Sequence, residues 1–183
     1  MAAGFSNHSV MTDFVTGKPV LDVGAEANRQ AVEKYLVNEK GYDRKDIQVD
    51  MDLFLEVSGS PYRTKLDLVV FVDGNMFMVI KCAAGSLGSR EREVVYAARI
   101  AGERPIPVAV ASDGHTALVF NAVTRRRIGE GLDAIPAPEK ARRMLAEMKI
   151  DALPADRLEK ERIIFRSYDI LNVNRAGNGC WGD

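Results

Sequence analysis

The stretch Ile47-Gln-Val-Asp-Met-Asp-Leu-Phe-Leu-Glu-Val57 constrains this chain most, because apolar and polar residues alternate along it almost strictly, with Phe54 the exception. Successive side chains of a strand point to opposite faces. Ile47, Val49, Met51, Leu53, Leu55 and Val57 therefore share one face, and the period of two specifies a half-buried β-strand. Ser58-Gly59-Ser60-Pro61 breaks it. A second strand is predicted over 65–72, rich in β-branched and apolar residues. Asp73-Gly74 is a two-residue hairpin signal, and residues 75–82 return as a third strand.

Helical spacing flanks this meander. Ahead of it, a helix is predicted from Gly24, with Ala27, Ala31, Tyr35 and Leu36 on one face and Lys40-Gly41 closing it. Behind it, a loop over 83–89 enters a helix over about 90–102, whose apolar residues include Val94, Val95, Ala98 and Ile100. Pro105 and Pro107 then precede a short buried strand over 108–111. Asp113-Gly114 turns the chain, and residues 116–122 pair back. Residues 124–131 read as a polar turn region, followed by helices over about 138–148 and 154–171. A helix that carries the chain from the third strand to the fourth implies a crossover, and hence a mixed sheet. The expected organisation is an N-terminal arm over 1–23, one α/β domain over 24–172 and a loose Gly-rich tail over 173–183, with no internal repeat.

With 183 residues and 46% hydrophobic content, the chain has enough material for one domain with a proper core. Its 25 basic and 26 acidic side chains give a net charge of -1, so any nucleic-acid surface must come from local clustering. The two cysteines, Cys82 and Cys180, allow neither a disulfide framework nor a zinc spacing. The N-terminus lacks the basic and apolar regions of a signal peptide, and no apolar run is long enough to span a membrane. A reducing, cytoplasmic setting with no membrane partner is expected. The phosphate-binding pattern Gly-x-x-x-x-Gly-Lys-Ser/Thr is absent, so no ATP-driven motor is expected in this sequence.

Five segments, taken in order, resemble the N-terminal domain family of type I restriction enzyme R subunits, a branch of the PD-(D/E)XK nuclease superfamily. They are Glu26-Ala-Asn-Arg29-Gln30, Lys65-Leu-Asp67-Leu-Val-Val-Phe71, Met78-Val-Ile-Lys81-Cys82-Ala83, Gly85-Ser-Leu-Gly-Ser-Arg-Glu-Arg92 and Val108-Ala-Val-Ala-Ser-Asp-Gly114. The resemblance covers roughly residues 24–170. It implies a three-layer α/β restriction-endonuclease-like fold, with a central mixed β-sheet flanked by helices. It also implies Mg²⁺-dependent cleavage of DNA, in which carboxylates hold the metal and a lysine two residues beyond the third-strand carboxylate assists the attacking water. Positions i and i+2 of a strand share a face, which is why that carboxylate and lysine converge.

The motif is broken here. The matching positions hold Lys81 and Ala83, while Glu26 and Asp67 survive in theirs. The degenerate catalytic set is therefore Glu26, Asp67 and Lys81, with Asp67 as the metal ligand if a divalent ion binds. An ammonium beside Asp67 would occupy the place of the ion and repel it, so weak or absent Mg²⁺ binding is expected. Glu91 or Glu93 in the following helix offers a migrated carboxylate, and Arg90 or Arg92 at its start offers a phosphate contact. The implied partners are DNA, other restriction-modification subunits and a second copy of the chain. Three readings follow: a nuclease-lineage pseudo-enzyme that keeps a DNA-binding or assembly role, an active endonuclease with migrated residues, and a non-catalytic interaction module.

Each candidate also has a plainer reading. Glu26 suits the first turn of any helix. Asp67 can face either the former cleft or solvent. Lys81 can guard an edge strand against aggregation. Arg125-Arg126-Arg127 reads as a solvated turn, His115 as a surface turn residue, and Cys82 as a small buried hydrophobe. Trp181 has no assigned role.

Overall fold

The computed structural model describes residues 9–171; the tail expected over 173–183, with Cys180 and Trp181, lies outside them. The chain runs β1 (Val10–Thr12), β2 (Pro19–Leu21), α1 (Glu26–Asn38), β3 (Ile47–Val57), β4 (Ser60–Val72), β5 (Asn75–Cys82), α2 (Glu91–Ile100), β6 (Val108–Ser112), β7 (Ala117–Asn121), β8 (Arg126–Glu130), α3 (Pro138–Glu147) and α4 (Ala155–Leu171). Strands β3 to β8 form one six-stranded sheet in sequence order. Every neighbouring pair is antiparallel except β5 and β6, which are parallel because α2 carries the chain across between them. The mixed sheet is thus the one the crossover predicts.

Two tight turns set its register. Ser58 and Gly59 both have positive φ (52° and 74°), as do Asp73 and Gly74 (49° and 79°). Consecutive residues of this kind build the hairpin turn whose twist matches that of the flanking strands. They pair Val57 with Ser60 and Val72 with Asn75. The break at 58–61 is therefore only two residues long, and β4 begins at Ser60 rather than at Lys65.

Helices cover both faces. On one side, Val32 and Leu36 of α1 and Ala141 of α3 pack with Leu68, Val70, Met78, Ile80, Val108 and Val110. On the other, Val94, Val95, Ala98 and Ile100 of α2 and Phe165 of α4 pack with Val69, Val79, Ala109 and Ala111. This is a three-layer α/β architecture with two cores. The alternation of β3 predicts one buried face, and here the structure differs. Ile47 belongs to the α1 core and Leu53, Leu55 and Val57 to the α2 core. Its β4 partners change sides at the same level, Leu68 lying in the first core and Leu66 in the second. Asp50, with φ 50°, sits at the changeover. A left-handed residue re-aims the side chains that follow it, which strict alternation in the sequence cannot reveal.

Three further expectations are corrected. Residues 126–130, read as part of a polar turn, form the edge strand β8, whose side chains are largely exposed. An edge strand of this kind carries no apolar alternation to detect it by. The arm over 1–23 contains, from residue 9 on, a small antiparallel hairpin of β1 and β2. Lastly, α1 does not bury the face through Ala27 and Ala31. Its buried residues are Arg29, Gln30, Val32, Glu33 and Leu36, and three of those five are polar.

Candidate functional site

At Asp67 the sheet opens. The β4–β5 ladder ends at the Leu68–Ile80 pair, whereas β5 stays paired with β6 as far as Cys82 and Ser112. The Asp67 carboxylate takes over where the ladder stops: its Oδ2 accepts the backbone N–H of Cys82 at 2.8 Å. Asp67 and Lys81 have the same strand parity as Val69 and Val79, which face α2 and α4. There Lys81 Nζ lies 3.3 Å from Asp67 Oδ1 and 3.1 Å from Glu93 Oε1 on α2. Arg90 closes the group, its Nη1 lying 3.6 Å from Glu93 Oε2. Lys65, Leu66, Val94 and Phe165 line the same cleft. Lys81 lies on β5, an inner strand between β4 and β6, so the edge-strand reading does not apply.

Burial pushes the Glu93 carboxyl above its ordinary range, and the adjacent Lys81 ammonium pulls it back. Glu93 is nearly inaccessible, while Lys81 and Asp67 keep a little exposure. Lys81 sits where a divalent ion would have to touch both acids. At an effective dielectric of ~20 the repulsion between an ammonium and such an ion at contact distance is on the order of several kcal/mol. Among the described residues no group of three or more His, Cys, Asp or Glu side chains is arranged to hold a metal ion. With Lys81 between the two acids, the side chains at this site do not fit Mg²⁺.

Glu26 and Arg92 take other positions, whereas Arg90 stays beside Glu93. Glu26 opens α1 and accepts from Arg29 Nη2 at 2.8 Å and from Gln30 Nε2 at 2.8 Å. Arg90 is buried, and its Nε and Nη1 lack hydrogen-bond partners. Arg92 is exposed and donates to the Tyr168 hydroxyl of α4 at 2.8 Å. His115 and Arg125 to Arg127 lie on the surface, and Cys82 is buried.

A second cluster, which the sequence reading does not single out, lies on the opposite side of the sheet. The Arg29 guanidinium reaches Glu26 at 2.8 Å, Asp50 at 2.9 Å, Asp13 at 3.4 Å and Glu33 at 3.7 Å. Glu26, Arg29, Gln30 and Glu33 recur at helical spacing, and that polar stripe was the available signal. Asp13 and Asp50 come from distant segments and carry no such signal.

Fold and site together define a three-layer α/β domain with a mixed sheet and a buried charge group where β4 leaves β5. The family described as type I restriction enzyme R protein N terminus matches residues 24–136, more than half of the sequence, and the chain belongs to that family. No curated protein and no solved structure matches it. No helix among the described residues is long and apolar enough to cross a membrane.

Proposed function

We propose that this is a nuclease-lineage domain of restriction-endonuclease-like fold that has exchanged metal-dependent DNA cleavage for a fixed charge group. In this reading it serves in DNA binding or in assembly with other restriction-modification subunits. The observation that carries the proposal is Lys81 Nζ within 3.3 Å of Asp67 and 3.1 Å of Glu93. The family's reaction needs carboxylates around a divalent ion, and here an ammonium stands among them. Replacing that ammonium by a third carboxylate gives a ligand set of Asp67, Glu93 and the substituted side chain.

The test is calorimetric titration of Mg²⁺ and Mn²⁺ into the unaltered protein and into Lys81→Glu. Binding only by Lys81→Glu is expected, and the Lys81→Glu, Ala83→Lys pair then tests for cleavage. Ala83 is buried, so the single substitution is the primary arm. Metal binding or DNA cleavage by the unaltered protein would show that the ligands have migrated and that the enzyme is active. Silence from both proteins would remove the inherited pocket from the argument. Duplex DNA binding at low salt that weakens steeply as salt is added assigns the remaining role to DNA; its absence assigns it to protein assembly.

A further inference from the structure

We propose that Glu33 is a proton-operated latch for the N-terminal hairpin: protonated, it keeps residues 9–22 docked on α1, and loss of the proton loosens them. Val15 packs against the α1-side core, but Val10 and Leu21, paired across the hairpin, are both exposed. Polar contacts to one face of α1 add to this grip. Phe14 N–H donates to Gln30 Oε1 at 2.7 Å, and Val15 N–H donates to Glu33 Oε2 at 3.1 Å. Buried Asp13 accepts from Gln30 Nε2 at 3.2 Å and from Arg29 Nη2 at 3.4 Å. The Arg44 guanidinium stacks on the Phe14 ring, 4.1 Å from its centre.

The charges in this contact do not balance. Asp13 from the hairpin, Glu26 and Glu33 from α1 and Asp50 from β3 share the single guanidinium of Arg29. From β5, the fully buried Cys82 thiol faces the same group, and burial keeps it in its neutral form. Glu33 is the worst placed of the four acids. It is wholly inaccessible, it is the farthest from the guanidinium at 3.7 Å, and its Oε1 has no hydrogen-bond partner. A buried carboxylate left this way is expensive, and a proton removes the cost. Burial first, and the Asp13 charge second, push its carboxyl up to about 7, against the pull of Arg29 and the Val15 N–H. Asp13, bonded to Thr16, is held below its usual range and remains the anion of the pair. Deprotonation of Glu33 therefore places a second negative charge against Asp13, which ties the hairpin to α1.

The measurement is amide hydrogen exchange at Phe14 and Val15, corrected for intrinsic rates, at pH 6 and pH 8.5 in the full chain. Undocking returns Glu33 to water and to its ordinary value, so the docking constant falls about tenfold between these pH values. Protection at both amides is expected to fall by that factor in the unaltered protein and to stay level in Glu33→Gln, which mimics the protonated form. Equal pH dependence in both proteins, or none in either, overturns the latch. A carbon-13 titration of the Glu33 carboxyl in the unaltered protein guards against a variant that fails to fold. A midpoint near 7 is expected, and one near the ordinary 4.5 refutes the proposal.

Discussion

Two buried charge groups stand on opposite faces of one sheet and solve the same problem differently. On the α2 side two cations serve the acids: Lys81 pairs with Asp67 and Glu93, and Arg90 also reaches Glu93. On the α1 side Asp13, Glu26, Glu33 and Asp50 all pair with the one guanidinium of Arg29. Burial raises the Glu93 carboxyl, but two cations, Lys81 and Arg90, stand against it. Glu33 has only a share of Arg29 to offset its burial, and a proton relieves it. The supply of cations, more than burial, thus separates the two groups, since Glu93 and Glu33 are both buried.

Removing the cation from each group gives the sharpest contrast. Arg29→Met leaves the buried carboxylates of Asp13 and Glu33 without their shared partner, and a loss of about 3–5 kcal/mol in urea unfolding is expected. Lys81→Met costs less, on the order of 1–3 kcal/mol, because Asp67 keeps the Cys82 N–H and Glu93 keeps Arg90. Equal losses would break the comparison.

pH sharpens it further. Glu33 has a folded value of about 7, raised from 4.5, so the native state binds more protons than the unfolded chain between these limits. Its contribution is complete below pH 4.5 and is lost as pH rises through 7. Unfolding followed at pH 5.5 and 8.5 should therefore show the advantage of the unaltered protein over Glu33→Gln shrinking or reversing at the higher pH. A constant difference would place Glu33 outside the proton balance. Asp13 and Glu161 act with the opposite sign: their lowered values mean stability lost as pH falls through the acid range, in both proteins alike. The smallest effect belongs to exposed pairs. Arg142→Ala, which removes the 3.3 Å contact to Asp73, is expected to change stability by about 0.2–1 kcal/mol at most, and less at high salt.

Local chemistry made much of the fold legible. The period of two in 47–57, the Asp73-Gly74 turn and the helix between the third and fourth strands led directly to a mixed sheet. The edge strand β8 was missed because Arg126-Arg127-Ile128-Gly129-Glu130 lies at the sheet margin with no buried face to leave a pattern. Family resemblance points to Asp67 and Lys81, and the next helix offers Glu91 and Glu93. Glu26 was drawn away to Arg29.

By itself the sequence determined what depends on neighbouring residues: strand period, positive-φ turns and helix positions. Only the tertiary structure decided which charges meet. Asp13 of the hairpin and Asp50 of β3 both meet Arg29 of α1, and Lys81 meets Glu93 across a strand-to-helix crossover. Those distances along the chain carry no periodic signal. The energy of a buried charge depends on what stands within a few ångströms of it, and that is fixed only when the layers pack.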